Sequence, residues 1–196
     1  MSPQLSRLDP TSEHTSNLFF ALFPDADTAA ELAGLGARLR EQCGLKGHVL
    51  DADQFHVSLC HIGTYDGDVP EGILTQARRA AASIAVQPFD VTFDHARSIA
   101  GDHNKPFVLM SRERNSAIKS LQHALGQALT RAGLGRWVAT AYNPHVTLLY
   151  DAHDVTMEHI AKVAWTAREF VLVRSLIGES RYVRLDVWPF QTPEAS

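Results

Sequence analysis

His56-Val57-Ser58-Leu59 and His145-Val146-Thr147-Leu148 are two nearly identical stretches, each made of a histidine, an apolar residue, a hydroxyl residue and a leucine. Both lie in runs that predict β-strands, over 55–62 and 144–150. Successive strand side chains point to opposite faces, so the histidine and the hydroxyl of each motif share one face while the apolar residues anchor the other. The sequence therefore predicts that two imidazoles and two hydroxyls converge on one cleft.

Chance is a weak explanation of this repeat. The frequencies of His, of Ser plus Thr, and of Leu in the chain predict roughly 0.1 matches to the pattern His-x-Ser/Thr-Leu. One such motif alone is more often structural than functional. Two motifs, each in the correct strand phase, favour a shared functional role.

Composition limits the class of protein. With 196 residues, 45% of them hydrophobic, the chain can bury one sizeable core or two small lobes that share a core. A net charge of −4 argues against a protein that coats long nucleic acid, but it allows recognition of a nucleic-acid end. Apolar runs are far shorter than the roughly 20 residues of a membrane span, and no signal pattern opens the chain. We expect a cytoplasmic monomer with no membrane partner.

The remaining pattern predicts α+β architecture, with two antiparallel-rich sheets, helices outside them and a cleft between two lobes. Residues 17–190 are predicted to form a single bilobal domain between flexible tails at 1–16 and 191–196. Further strands are predicted at 18–23, 89–93, 106–111, 170–177 and 181–188, and helices at 29–39, 71–85, 116–132 and 157–163. The two motifs lie 145 − 56 = 89 residues apart, which indicates a weak internal duplication.

With these motifs placed, the chain resembles the two-histidine phosphoesterase superfamily, specifically the bacterial RNA 2′,3′-cyclic phosphodiesterases, also called 2′-5′ RNA ligases (LigT-like). The resemblance spans roughly residues 18–190 and extends beyond the motifs to several short stretches. These are Leu18-Phe19-Phe20-Ala21-Leu22, Asp53-Gln54-Phe55-His56, Ile62-Gly63, Pro144, Glu169-Phe170-Val171-Leu172 and Ser180-Arg181-Tyr182.

The resemblance implies a pseudo-symmetric bilobal fold and a metal-free, cofactor-free site at the lobe interface. It implies that RNA termini or small nucleotides with a 2′,3′-cyclic phosphate are opened to 2′-phosphates, with 2′-5′ ligation as the reverse reaction. His56 would be the general acid and His145 the general base, although the sequence does not fix that order. Independently, two imidazoles with pKa values near neutrality can supply both an acid and a base, and Ser58 and Thr147 can donate to phosphate oxygens.

Tyr150 marks a departure from the family, which often has a basic residue shortly after the second motif. Strict alternation places Tyr150 on the face opposite His145, so we expect it to affect nucleotide seating or lobe packing. Lys105, Arg112 or Arg181 can compensate as a phosphate-facing cation, and Lys105 and Tyr150 are the predicted substrate-binding residues. Candidates for stacking a base are Phe19, Trp137, Tyr142 and Tyr150.

Other functions stay open. A metal site would draw on His56, Cys60, His61 and His145, but alternation puts His56 and His61 on opposite faces and no zinc motif is present. A non-catalytic nucleotide-binding module can use the same cleft. A phosphodiesterase can also act on small cyclic nucleotides, ADP-ribose cyclic phosphate or 2′-5′ oligonucleotides. The other seven histidines lack a motif and are interpreted as surface or hydrogen-bonded core residues.

Overall fold

A computed structural model describes residues 15–101, 104–112, 115–139, 141–179 and 181–191. Apart from the segment predicted as a helix at 157–163, its elements follow the order that the hydrophobic pattern predicts. In chain order they are β1 (Thr15–Leu22), α1 (Ala26–Gln42), β2 (Val57–Asp66), α2 (Glu71–Ala82), β3 (Phe89–Ser98), β4 (Lys105–Met110), α3 (Ser116–Arg131), β5 (Val146–Asp151), β6 (Glu158–Ala167), β7 (Glu169–Ile177) and β8 (Arg181–Pro189). Short 3₁₀ turns at Ala52–Gln54 and Gly135–Trp137 precede the two motifs.

The strands form one antiparallel sheet in the order β6-β3-β4-β5-β2-β1-β7-β8. The two motif strands, β2 and β5, meet at its centre through a single residue pair, Val57 with Val146. On either side of this seam lie four strands, which correspond to the two predicted lobes. The α+β class is confirmed, but the two separate sheets were wrong, because the Val57–Val146 pair joins the halves into one sheet.

Helices on one face of the sheet tie the halves together. Helix α1 follows β1 in the chain but packs against β5 and β6 of the other half, while α3 packs against β2 and α2. Asp25 caps α1 by accepting a hydrogen bond of 2.8 Å from the Thr28 amide. Leu32 and Leu39 of α1 are buried with α3 residues in one large apolar cluster. The lobes therefore share one core.

One predicted helix and one predicted domain boundary were wrong. The helix expected at 157–163 is part of strand β6, because alternate residues Val163, Trp165 and Ala167 are buried and the strand pairs with β3 along its length. The domain also begins before residue 17, since Ser16 is fully buried in β1 and donates to the Gly67 carbonyl at 2.7 Å. Residues 1–14 and 192–196 of the predicted tails lie outside the described residues.

Within the described part of the chain, no helix is both long and apolar enough to span a membrane.

Candidate active site

The seam between β2 and β5 positions the two motifs. Val57 and Val146 are paired and fully buried on the helix-covered face of the sheet. Extending this antiparallel register by one residue places His56 beside Thr147 and Ser58 beside His145, all four on the open face. Each histidine thus lies next to the hydroxyl residue of the other motif. The predicted convergence of the two motifs is present in the structure.

Both imidazoles are held in the same way by the backbone. The Nδ1 atom of His56 lies 2.7 Å from the Gln54 carbonyl oxygen, and the Nδ1 atom of His145 lies 2.8 Å from the Asn143 carbonyl oxygen. A carbonyl only accepts, so each Nδ1 carries the proton and donates. This leaves each Nε2 as the atom that can gain or lose a proton. The Nε2 of His56 lies 3.0 Å from the Ser58 hydroxyl, which donates to it when the ring is neutral.

A β-bulge at the last residue of each motif changes which later residues face the site. In β2, Phe20 pairs with Cys60 while Ala21 pairs with Ser58, so Leu59 is an extra residue in the strand. In β5, Leu148 is extra in the same way relative to β4. Two consecutive apolar residues then point into the core at Leu59-Cys60 and at Leu148-Leu149. The side chains of His61 and Tyr150, five residues after each motif histidine, return to the open face.

The predicted placement of Tyr150 opposite His145 was therefore wrong, and so was the opposite parity of His56 and His61. Both expectations assumed strict alternation, which the bulges interrupt. The adjacent apolar pairs Leu59-Cys60 and Leu148-Leu149 were the available signal, because a regular half-buried strand does not bury two successive side chains.

The open face holds a cavity of about 240 Å³ at the seam. The four motif residues His56, Ser58, His145 and Thr147 line it together with Tyr150 and His61. Five further lining residues carry no motif and were not predicted as binding residues, except Phe19 as a stacking candidate: Asn17, Phe19, Leu50, Ser175 and Tyr182. Among the described residues that line it, none is Lys, Arg, Asp or Glu, so histidines supply whatever positive charge its walls carry.

Burial sets the protonation of His56. Desolvation lowers the pKa of His56 from 6.5 to about 4, the Gln54 carbonyl opposes this shift, and the charge of His145 adds to it. At neutral pH His56 is therefore neutral in the protein without substrate. Burial also lowers the pKa of His61, and it raises the pKa of Tyr182 to about 12, with Tyr150 and Asp53 as lesser causes.

Aromatic rings surround His56. Phe19 and Phe23 lie 5.2 and 5.8 Å from its ring centre, and Tyr182 meets it edge-on at 5.3 Å. On the other side of the site, the Tyr142 hydroxyl donates to the Ser58 carbonyl at 2.9 Å. Trp137, another predicted stacking residue, packs edge-on against His61. These contacts fix the orientation of the polar groups.

The predicted cations are not brought to the cavity. Lys105 is paired with Asp154 at 3.4 Å, at the far end of the β4–β5 ladder, where Lys105 faces Asp151. Lys105 does not line the cavity, because it stands at the end of β4, and its role as a substrate-binding residue stays a prediction. Arg112 contacts His159 at 2.8 Å and Arg181 lies 4.0 Å from Glu179. Neither side chain lines the cavity.

Within the described ranges, no group of three or more His, Cys, Asp or Glu side chains is arranged to hold a metal ion. Cys60 points away from the site, toward the carbonyl of Gln122 in α3 at 3.8 Å. The four residues considered for a metal site therefore divide between the cavity and the core.

The family is shown by a sequence match over most of the chain. Residues 24–178 match the model of the 2′-5′ RNA ligase superfamily, and the chain belongs to that superfamily. This is the two-histidine phosphoesterase relationship that the motifs predict, and it identifies the chain as an enzyme of the phosphoesterase and ligase class.

Solved structures share the fold. E. coli LigT complexed with 3′-AMP is similar at a TM-score of 0.72 and 23% identity, covering 91% of this chain and 99% of that one. The protein TT0787 of Thermus thermophilus is similar at a TM-score of 0.69 and 19% identity, covering 91% and 100%. LigT has also been solved with ATP and with phosphate. No curated protein sequence matches the chain significantly.

Proposed function

We propose that this protein hydrolyses RNA ends that carry a 2′,3′-cyclic phosphate to 2′-phosphates, without a metal ion, and that 2′-5′ ligation is the reverse of this reaction. The observation that carries the proposal is the pairing of two backbone-held imidazoles, each with an available Nε2, beside two hydroxyls on one cavity. Hydrolysis dominates in water, because ligation needs both RNA ends held together.

In the proposed reaction a water molecule attacks phosphorus while the bond from phosphorus to the 3′-oxygen breaks. The Nε2 of His145 takes the proton from the attacking water, and the protonated Nε2 of His56 gives its proton to the departing 3′-oxygen. The phosphate stays on the 2′-oxygen. The order of acid and base follows the family resemblance.

Ser58 and Thr147 act on the non-bridging phosphate oxygens. Without substrate the Ser58 hydroxyl donates to a neutral His56. Once His56 is protonated its Nε2 becomes a donor, so the Ser58 hydroxyl turns from the ring to a phosphate oxygen. Donors held in place beside the developing negative charge stabilise the transition state.

The low pKa of His56 makes its protonation depend on substrate. An anionic phosphate beside the ring favours the charged imidazole, which opposes the desolvation that lowers the pKa of His56 in the protein alone. Binding of substrate therefore favours the protonated form of His56 that acts as the general acid. In each turnover the Nε2 of His145 gains a proton and the Nε2 of His56 loses one, so both atoms must exchange protons with water before the next turnover.

Nucleoside 2′,3′-cyclic phosphates are a second proposed substrate class. The cavity of about 240 Å³ is smaller than most ligand pockets. It is therefore suited to the terminal nucleotide of an RNA or to a single small nucleotide.

The proposal is tested with an oligonucleotide ending in 2′,3′-cyclic phosphate, in excess EDTA and without ATP. We expect turnover to survive EDTA, and His56→Ala and His145→Ala each to lose about 10²- to 10⁴-fold in rate. His123→Gln, an exposed histidine on α3, is the matched control and should keep wild-type activity. Activity that requires zinc or magnesium favours a metal site, and nucleotide binding without turnover favours a binding module.

A further inference from the structure

His61 and Tyr150 lie at opposite ends of the cavity. The bulges bring both side chains to the open face at equivalent positions of the two motif strands. Because β2 and β5 run antiparallel through Val57 and Val146, the chain moves from Ser58 to His61 in one direction and from Thr147 to Tyr150 in the other. The cavity is thus elongated along the seam.

The Tyr150 end is aromatic. Tyr150 lies near enough to Tyr182 for their hydroxyls to influence each other electrostatically. Tyr182 in turn contacts the rings of His56 and Phe19.

The His61 end is polar and rich in hydrogen-bond donors. Asn17 of β1 and Ser175 of β7 are register partners, and both line the cavity with His61. The Asn17 side-chain oxygen accepts from the Thr64 hydroxyl at 2.6 Å, which leaves its amide hydrogens as its donors. An imidazole, an amide and a hydroxyl therefore line this part of the cavity, beside the rings of Phe19 and Tyr182, which are the register partners of His61 and Ser175.

This polar end is too far from the motif hydroxyls to share one phosphate with them. Asn17 stands four residues along β1 from Ala21, the register partner of Ser58, a distance of about 13 Å. His61 is nearer, because the bulge at Leu59 places it opposite Phe19, about 7 Å along the sheet from Ser58. A second acceptor on the same ligand is what these donors can reach. Oxygen atoms of a phosphodiester suit them, since phosphate oxygens accept hydrogen bonds, and their negative charge favours the protonated form of His61 against the burial that lowers its pKa.

A nucleotide has the right shape to reach both ends. When the 2′,3′ edge of the ribose lies at the seam, the base on C1′ and the 5′-oxygen on C4′ extend to opposite sides. We propose that His61, Asn17 and Ser175 bind the phosphate on the 5′-oxygen of the terminal nucleotide, with the base at the Tyr150 end. This rests on the proposed function and gives it a substrate preference, because an RNA end carries that phosphate and a plain nucleoside cyclic phosphate does not.

Calorimetry with two ligands isolates the 5′-phosphate. Adenosine 2′,5′-bisphosphate should bind about tenfold more tightly than adenosine 2′-monophosphate, the effect of one hydrogen bond to a charged group. His61→Phe, which keeps a ring against Trp137, should bring the two affinities together. Tyr150→Phe, the equivalent position at the other end, is the control and should keep the tenfold ratio.

The ratio of affinities tests the subsite even if no turnover is detected. Failure of the subsite proposal can therefore be distinguished from failure of the proposed function. Equal affinities in the wild type, or a ratio that persists in His61→Phe, would overturn the subsite. If His61→Phe does not fold, Ser175→Ala replaces it and should reduce the ratio, and an unchanged ratio there would also overturn the proposal. Cyclic-phosphate turnover by the wild type decides the proposed function.

Discussion

Lowering the pH from 7 to 4 should destabilise the protein, and His56 should account for a measurable part of the loss. Its pKa falls from 6.5 in the unfolded chain to about 4 in the fold because the ring is desolvated against Phe19, Phe23 and Tyr182. A difference of about 2.5 pKa values, at 1.36 kcal/mol each, amounts to about 3 kcal/mol.

The sign follows from which state binds the proton. Between pH 6.5 and 4 the unfolded chain protonates His56 and the folded protein does not, so the free energy of unfolding falls with decreasing pH. This contribution is complete above pH 6.5 and lost below pH 4. His56→Gln cannot bind the proton, so its stability should fall by about 3 kcal/mol less than that of the wild type over the same range.

Urea denaturation of the wild type and of His56→Gln at half-unit pH steps measures the difference. Imidazole NMR of the folded wild type gives the midpoint of the His56 titration directly. Inorganic phosphate should move that midpoint upward, because an anion beside Nε2 favours the charged ring. Parallel stability curves for the two proteins, or a His56 midpoint near 6.5, would refute the reasoning.

Two further outcomes follow from the site and the fold. The pH profiles of kcat and kcat/KM should both be bell-shaped, and the kcat profile should lie at higher pH, since a bound anionic substrate favours protonated His56, the general acid. Superimposable profiles in steady-state assays argue against substrate-linked protonation. Ser58→Ala and Thr147→Ala should each lower kcat about 10²-fold, as expected for single donors to a transition-state oxyanion, and a change confined to KM would instead indicate ground-state binding.

The motifs predicted the centre of the site because strand alternation holds from His56 to Ser58 and from His145 to Thr147. Strand alternation is interrupted at Leu59 and Leu148, where a bulge in each strand returns the side chains of His61 and Tyr150 to the open face. Strict alternation therefore placed Tyr150 on the wrong face of the sheet, opposite His145. A bulge depends on pairing with a neighbouring strand, and that information lies outside the motif itself.

The other residues that line the cavity could not be predicted from the sequence for a related reason. Asn17, Ser175 and Tyr182 come from β1, β7 and β8, which approach the motifs only through the sheet order. The expected helix at 157–163 failed because pairing with β3 decides the conformation of that segment more strongly than its local spacing. The order of the remaining helices and strands was predictable, because amphipathic periodicity alone specifies them.

The identity of the phosphate left on a short RNA tests the central claim most directly. An RNA ending in 2′,3′-cyclic phosphate is incubated with the enzyme in EDTA, and the product is compared with authentic 2′- and 3′-phosphorylated standards and treated with a 3′-specific phosphatase. We expect a 2′-phosphate that resists the phosphatase, since His56 protonates the 3′-oxygen as it leaves. A 3′-phosphate would mean that the substrate lies reversed between His56 and His145, and unchanged cyclic phosphate would contradict the proposed reaction itself.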